Sequence, residues 1–231
     1  MNLIFLFSVI LKGLGAVLEI LLQILIFILP AIYPQGAKQV LLYNVTGQVV
    51  KGGQRMASLG VIIINVSSTA KMAQYMETGM PLVERITTVT GKYIPNPGNF
   101  IVKIGTSAEA LIAHCGGISA DDVTVKAGGP MMGFVQKTLD TPIMKGSNGI
   151  IAIDTDVSEA QECIKCGRCV DVCPMELKPL HFAKFLGEPQ KLKELAIMDC
   201  MECRCCEYIC SSKIPLVSVI KAGKLAVREM K

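Results

Sequence analysis

The placement of its ten cysteines constrains this 231-residue chain more than any other feature. Cys115 stands alone, and the other nine fall between Cys163 and Cys210. Eight of those nine form two runs with one spacing. The first is Cys163-x2-Cys166-x2-Cys169-x3-Cys173, followed by Pro174, and the second is Cys200-x2-Cys203-x2-Cys206-x3-Cys210. A disulfide-stapled secreted domain would spread its thiols more evenly. Zinc sites use Cys-x2-Cys pairs rather than two runs of four. Three cysteines at i, i+3 and i+6 let one short loop wrap three corners of an iron–sulfur cube, while its backbone N–H groups point at the sulfides. The fourth corner comes from elsewhere. The fourth cysteine of each run precedes a turn and crosses to the other cube, as this spacing does in two-cluster [4Fe-4S] proteins.

The ligand sets that follow are interleaved. Cys163, Cys166, Cys169 and Cys210 hold one cluster, and Cys173, Cys200, Cys203 and Cys206 hold the other. The exchange ties both runs into one unit that depends on iron to fold well. Cys205 is out of register and reads as a small buried residue or a sulfur behind the ligands. Cys115 reads as core, and His114 and His181 as surface or packing residues. A cube with all four corners thiolate-bound takes one electron and leaves no iron open, so such a module conducts electrons and does no bond chemistry itself.

The rest of the chain divides by composition. Residues 1–32 form the most apolar stretch, charged only at Lys12 and Glu19. Read as one span, Met1 to Pro30 is long enough to cross a bilayer. Split at Lys12-Gly13 and Glu19, it reads as two buried elements, and both readings stand at this point. If it spans, Lys38, Lys51 and Arg55 leave the remainder in the cytoplasm. Residues 33–82 contain a turn at Tyr33-Pro34-Gln35-Gly36 and a short apolar run, Val61–Ile64, that suits a buried strand. A helix to about Glu77 follows, capped by Ser67, Ser68 or Thr69 and stopped by Gly79 and Pro81. Residues 83–155 read mostly as strand: Ile86–Thr90, Asn99–Ile104, Val123–Lys126 and Ile150–Ile153 lie between Gly, Pro and Asn clusters. One helix fits between the cap Ser107 and Gly116-Gly117. This is the pattern of a small β-grasp domain. Gly128–Gly133 lacks phosphate-loop spacing and reads as a turn with two packed methionines. Residues 156–231 form the mainly helical cysteine module, with helices at Leu177–Leu186, Gln190–Met198 and Leu216–Met230. The fold class is therefore α+β multidomain, a β-grasp domain followed by a two-[4Fe-4S] domain. A net charge of +4, with no basic run interleaved with aromatics, argues against nucleic-acid binding.

Several short motifs recur in a fixed order. They are Tyr33-Pro34-Gln35-Gly36, Asn65-Val66, Pro81-Leu82-Val83-Glu84-Arg85, Thr88-Val89-Thr90-Gly91, Gly128–Gly133 and both cysteine runs. Together they resemble the C subunit of the Rnf ion-translocating electron-transport complex from about Tyr33 onward. The resemblance implies an NADH- and FMN-binding domain, of which residues 33–82 are a remnant, then a soluble-ligand-binding β-grasp domain, then a two-cluster ferredoxin domain. It also implies a peripheral seat on the cytoplasmic face of the inner membrane. The partners it implies are the other subunits of the complex and ferredoxin or flavoprotein redox proteins. Electron flow between NAD(H) and ferredoxin would drive ion translocation there. Asn65 and Thr69 match the family's Asn-Val-x-Thr segment at the flavin site.

The chain departs from the family in four places. Most of the N-terminal nucleotide region is replaced by Met1–Pro30. Ala37 runs straight into Lys38 where an acidic residue is usual. Arg204 replaces a Gly, and Ser211 replaces a Pro. The first two count against FMN and NADH in this chain, and the last two leave all eight cysteines in place. Three functions are in contention: an electron-transfer iron–sulfur subunit, a flavin-dependent NADH-oxidising subunit, and a partner-docking module with structural clusters.

Overall fold

The computed structural model of the chain describes residues 2–7, 25–30, 32–155 and 158–230. The chain forms two units, one from Met1–Ile63 with Ala160–Lys231 and one from Ile64–Glu159.

The first unit begins with two strands. β1 (Asn2–Phe7) pairs antiparallel with β2 (Leu25–Pro30), from Asn2 opposite Pro30 to Phe7 opposite Leu25. The central part of the apolar stretch read as a membrane span lies outside the described residues. Among the described residues, no helix is long and apolar enough to cross a membrane. α1 (Lys38–Thr46) follows and ends on Gly47, whose left-handed φ of 71° lets its N–H return to the Tyr43 carbonyl.

The second unit starts with α2 (Val66–Thr78). Asn65 rather than Ser67 or Thr69 caps it, its side chain accepting from the Ser67 N–H at 3.0 Å. The expected strand Val61–Ile64 does not form, and Ile62 and Ile64 are exposed. An apolar run becomes a strand only where a neighbour takes up its backbone groups, and none of the described strands pairs with it.

The sheet of this unit has five strands in the order β4-β3-β7-β5-β6. β3 (Glu84–Gly91) and β4 (Gly98–Lys103) form an antiparallel hairpin. α3 (Ala108–His114) follows, capped by Ser107, whose hydroxyl accepts from the Ala110 N–H. β5 (Val123–Ala127) and the two-residue β6 (Phe134–Val135) pair antiparallel. β7 (Gly149–Asp154) then enters between β3 and β5, parallel to β3. A first hairpin, a helix and a last strand lying parallel to the first make the β-grasp arrangement.

One face of the sheet packs with α3 around Val89, Val102, Leu111, Ile112, Val125 and Ile150. Cys115 sits in this core with no exposed surface, and burial pushes its thiol pKa up. His114 packs edge-on against Phe100. Buried Arg85 donates from Nε to the Ser147 carbonyl at 3.1 Å and from its guanidinium to Asn148. It thereby pins the turn before β7. Gly91 has φ +131°, and a Cβ there would sit 2.0 Å from the Ala152 carbonyl oxygen. That approach lets the parallel pair close. Gly128–Gly133 is a turn, its ends joined by the Gly133 N–H to the Gly129 carbonyl at 2.8 Å. Its methionines are not both packed, for Met132 is half exposed.

The remaining helices belong to the first unit. They are α4 (Arg168–Asp171), α5 (Pro179–Lys184), α6 (Pro189–Glu194), α7 (Cys205–Tyr208) and α8 (Leu216–Glu229). Pro189 starts α6 at its first position instead of breaking a longer helix, since a proline there forfeits no helical hydrogen bond. Phe182, Leu192, Ile197, Leu216 and Ile220 form the core between these helices, and several cysteines pack against it.

A candidate iron–sulfur centre in two cavities

The two cysteine runs fold alike. In the first, Lys165 and Gly167 take left-handed φ values of 55° and 79°; in the second, Glu202 and Arg204 take 57° and 67°. Each pair curls the backbone around its loop, and a one-turn helix follows, α4 in the first run and α7 in the second. The left-handed region costs a residue with a Cβ about 1–2 kcal/mol. Arg204 bears that cost where the first run has Gly167, and its guanidinium lies 3.5 Å from Glu207.

The curled loops bring the eight register cysteines to two cavities. Cys163, Cys166, Cys169 and Cys210 line one of about 440 Å³, its open mouth included. Cys173, Cys200, Cys203 and Cys206 line the other, of about 350 Å³ with its open mouth likewise included. The fourth cysteine of each run thus faces the cavity of the other run. Cys205, the first residue of α7, is buried and also lines the second cavity. Cys115 lies in the other unit. His181 packs edge-on against Phe185.

The cavities differ in exposure. Cys163 and Cys166 are exposed, whereas Cys203 and Cys206 are buried. Burial, then the neighbouring thiols, pushes Cys206 up to about 12. Burial does the same to Cys203, with the Cys205 backbone N–H opposing the rise and the Cys205 and Cys173 thiols adding to it. Cys200 and Cys169 are also raised, chiefly by burial. Four thiols gathered in an apolar hollow ionise only against a strong positive partner, and an iron–sulfur core supplies one. Thiolates are also the soft donors that iron–sulfur clusters select. Among the described residues no three His, Cys, Asp or Glu side chains close on a single metal ion. A tetrahedral zinc draws its sulfurs to within about 4 Å of each other, while a cube holds its four thiolates farther apart. The all-thiolate donor sets and hollow centres fit [4Fe-4S] cubes.

Residues distant in sequence hold the second loop. Tyr33 donates its hydroxyl to the Cys203 carbonyl at 2.7 Å. Burial first, then the Cys203 and Cys205 thiols, pushes Tyr33 up to about 12, so it stays a donor. The Gly52 N–H donates to the Asp199 carboxylate. Lys224, buried on α8, donates to the Cys200 carbonyl at 2.5 Å and to Glu202 at 2.7 Å. The Glu202 N–H donates to Cys200 Sγ at 3.4 Å. Sequence spacing gave no sign of Lys224 or Asp199. Tyr33 stood in a recognised motif, with nothing to tie it to a cysteine. Asn65 and Thr69 are both engaged at the start of α2, where the Thr69 hydroxyl donates to the Asn65 carbonyl at 3.3 Å.

These features define a class: a β-grasp domain joined to an iron–sulfur module of the dicluster type. The SLBB domain family matches residues 86–135, and the 4Fe-4S dicluster domain family matches residues 162–214. Curated relatives extend the likeness over most of the chain. The C subunit of the proton-translocating ferredoxin:NAD(+) oxidoreductase complex of Clostridium ljungdahlii is 42% identical over 169 residues, covering 72% of this chain and 37% of the relative. The C subunit of the Na(+)-translocating complex of Acetobacterium woodii is 40% identical over 197 residues, covering 83% of this chain and 44% of the relative. The C subunit of the ion-translocating oxidoreductase complex of Rhodobacter capsulatus is 36% identical over 211 residues, covering 88% and 41%. The chain belongs to this family, the C subunits of Rnf-type ion-translocating ferredoxin:NAD(+) oxidoreductase complexes. It spans about four-tenths of the length of these relatives.

Proposed function

We propose that the chain passes single electrons through two [4Fe-4S] clusters, as an iron–sulfur part of an Rnf-type membrane complex. Cys163, Cys166, Cys169 and Cys210 hold one cluster, and Cys173, Cys200, Cys203 and Cys206 hold the other. The observation that carries the reading is the partition of the eight cysteines into two cavities, each lined by three cysteines of one run and the last of the other. When bound, the clusters supply one-electron storage and release, with potentials set by burial and hydrogen bonding. The chain's own residues wrap each core, burying Cys203 and Cys206 at the second cavity and leaving Cys163 and Cys166 of the first exposed toward a redox partner. In the complex, electrons pass between NAD(H) and ferredoxin, and their flow drives ion movement. The chain sits peripherally on the cytoplasmic side, against the other subunits.

The experiment is anaerobic reconstitution with iron and sulfide, followed by reduction with a low-potential one-electron donor. Two reducible [4Fe-4S] signals per chain support the reading. Clusters that no such donor reduces overturn it and leave a structural, partner-docking role. Flavin that co-purifies and is reduced by NADH favours the flavin-enzyme reading.

A further inference from the structure

The cysteine module is an internal repeat, and its two halves act as controls for each other. Cys163 corresponds to Cys200, Lys165 to Glu202 and Gly167 to Arg204, each non-cysteine pair sharing a left-handed backbone. Glu176 corresponds to Lys213, with φ values of 54° and 51°. α5 and α8 begin at the corresponding residues Pro179 and Leu216. In this register Gly187 stands where the second half has Lys224. The first half therefore lacks the one ammonium group that the second half buries against its cysteine loop.

Lys224 is 8% exposed. Its Nζ lies 2.5 Å from the Cys200 carbonyl oxygen and 2.7 Å from Glu202 Oε1. Lys221 reaches the other Glu202 oxygen at 4.0 Å from a more exposed position. The Glu202 carboxylate thus stands between two ammonium groups, while the Asp199 carboxylate, one residue before Cys200, is held by the Gly52 N–H. A cube held by four thiolates is already anionic, and each electron it accepts adds one more negative charge. Water meets that charge at the first cavity, where Cys163 and Cys166 are exposed. At the second cavity Cys203 and Cys206 are buried, so solvent screens that side less and a cation beside it has a larger effect.

We propose that Lys224 is the charge that raises the reduction potential of the cluster held by Cys173, Cys200, Cys203 and Cys206, offsetting its burial so that it accepts electrons alongside the exposed cluster. This rests on the two-cluster reading. Lys224 touches the loop and no reacting atom, so it is a tuning and positioning residue.

The test is the midpoint potential of each cluster in the reconstituted full chain, followed by electron paramagnetic resonance. Lys224→Met shifts one midpoint to more negative potential and leaves the other in place, and Lys224→Arg restores it. Glu202→Gln removes the opposing carboxylate and moves the same midpoint the opposite way. The shift persists in a Cys166→Ala background, which lacks the exposed cluster. A two-cluster Lys224→Met protein with unchanged midpoints overturns the proposal, as does a shift that disappears in that background. If Lys224→Met loses its cluster, Glu202→Gln decides: an upward shift supports the proposal and an unmoved midpoint overturns it. Wild-type protein with fewer than two reducible clusters defeats the two-cluster reading itself, an outcome distinct from a failed shift.

Discussion

Replacing Gly91 by Ala separates two costs that are usually mixed. Gly91 stands opposite Ala152 in the parallel β3–β7 pair. Its φ is +131°, and an added Cβ would lie 2.0 Å from the Ala152 carbonyl oxygen and 2.7 Å from its nitrogen. Those atoms are backbone, so no rotamer change relieves the contact. The strand must move by more than about 1 Å to restore ordinary packing. The strained backbone costs about 1–3 kcal/mol, and the forced shift about 1–3 kcal/mol more. Gly105 is the control: its φ is +97° and a Cβ there meets nothing within 4 Å. Gly105→Ala therefore carries the backbone cost alone. Urea unfolding gives the two global values, and amide hydrogen exchange over β3 and β7 localises the loss. Gly91→Ala is expected to cost about 2 kcal/mol more than Gly105→Ala, with early exchange at β7. Equal costs, or loss of protection elsewhere, would refute the argument from close strand approach.

Other consequences are equally direct. Cys169→Ala removes one cluster and half the iron and lowers the thermal midpoint of the whole cysteine module, whereas Cys205→Ala leaves both clusters, as iron analysis and paramagnetic resonance will show. Arg204→Gly relieves the left-handed strain at the loss of an exposed ion pair, and raises stability by about 1 kcal/mol in thermal unfolding. Arg85→Leu strips the Ser147 and Asn148 acceptors of their donor and costs about 2–3 kcal/mol in the same assay. In iron-free protein Cys203 and Cys206 have pKa values raised from 9.0 to about 12, so the folded state favours the neutral thiol. Their contribution is full below pH 9 and is lost as pH rises from there toward about 12, at up to about 1 kcal/mol per pH unit per thiol before solvent screening. Urea midpoints across that window should fall for the iron-free chain and show no such slope for the reconstituted one.

The β-grasp strands were legible to within about two residues because Gly, Pro and Asn clusters bound them and Ser107 marks the helix between them. The cap of α2 fell on Asn65, just before the Ser67–Thr69 run that the pattern favoured. Val61–Ile64 misled because apolarity says nothing about whether a partner strand exists. The two-residue β6 was too short to leave a period. At the cysteine module the spacing marked the eight cysteines that line the two cavities, since three of each four come from one short loop. The contacts that distinguish the two cavities were hidden. Tyr33 and Gly52 reach the second loop and the Asp199 before it from far away in sequence, and Lys224 from another helix; a lysine on an amphipathic helix looks like solvent-facing charge until the fold buries it.

The exchange of the fourth cysteine between the two runs is open to a direct test. Single Cys→Ala variants at positions 166, 173, 203 and 210, each reconstituted and reduced, test it through the spectrum of the cluster that survives. With interleaved ligand sets, the Cys173 variant leaves the same surviving signal as the Cys203 variant, and the Cys210 variant the same as the Cys166 variant. If the Cys173 variant instead matches Cys166, each run holds its own cluster and the interleaved arrangement is wrong.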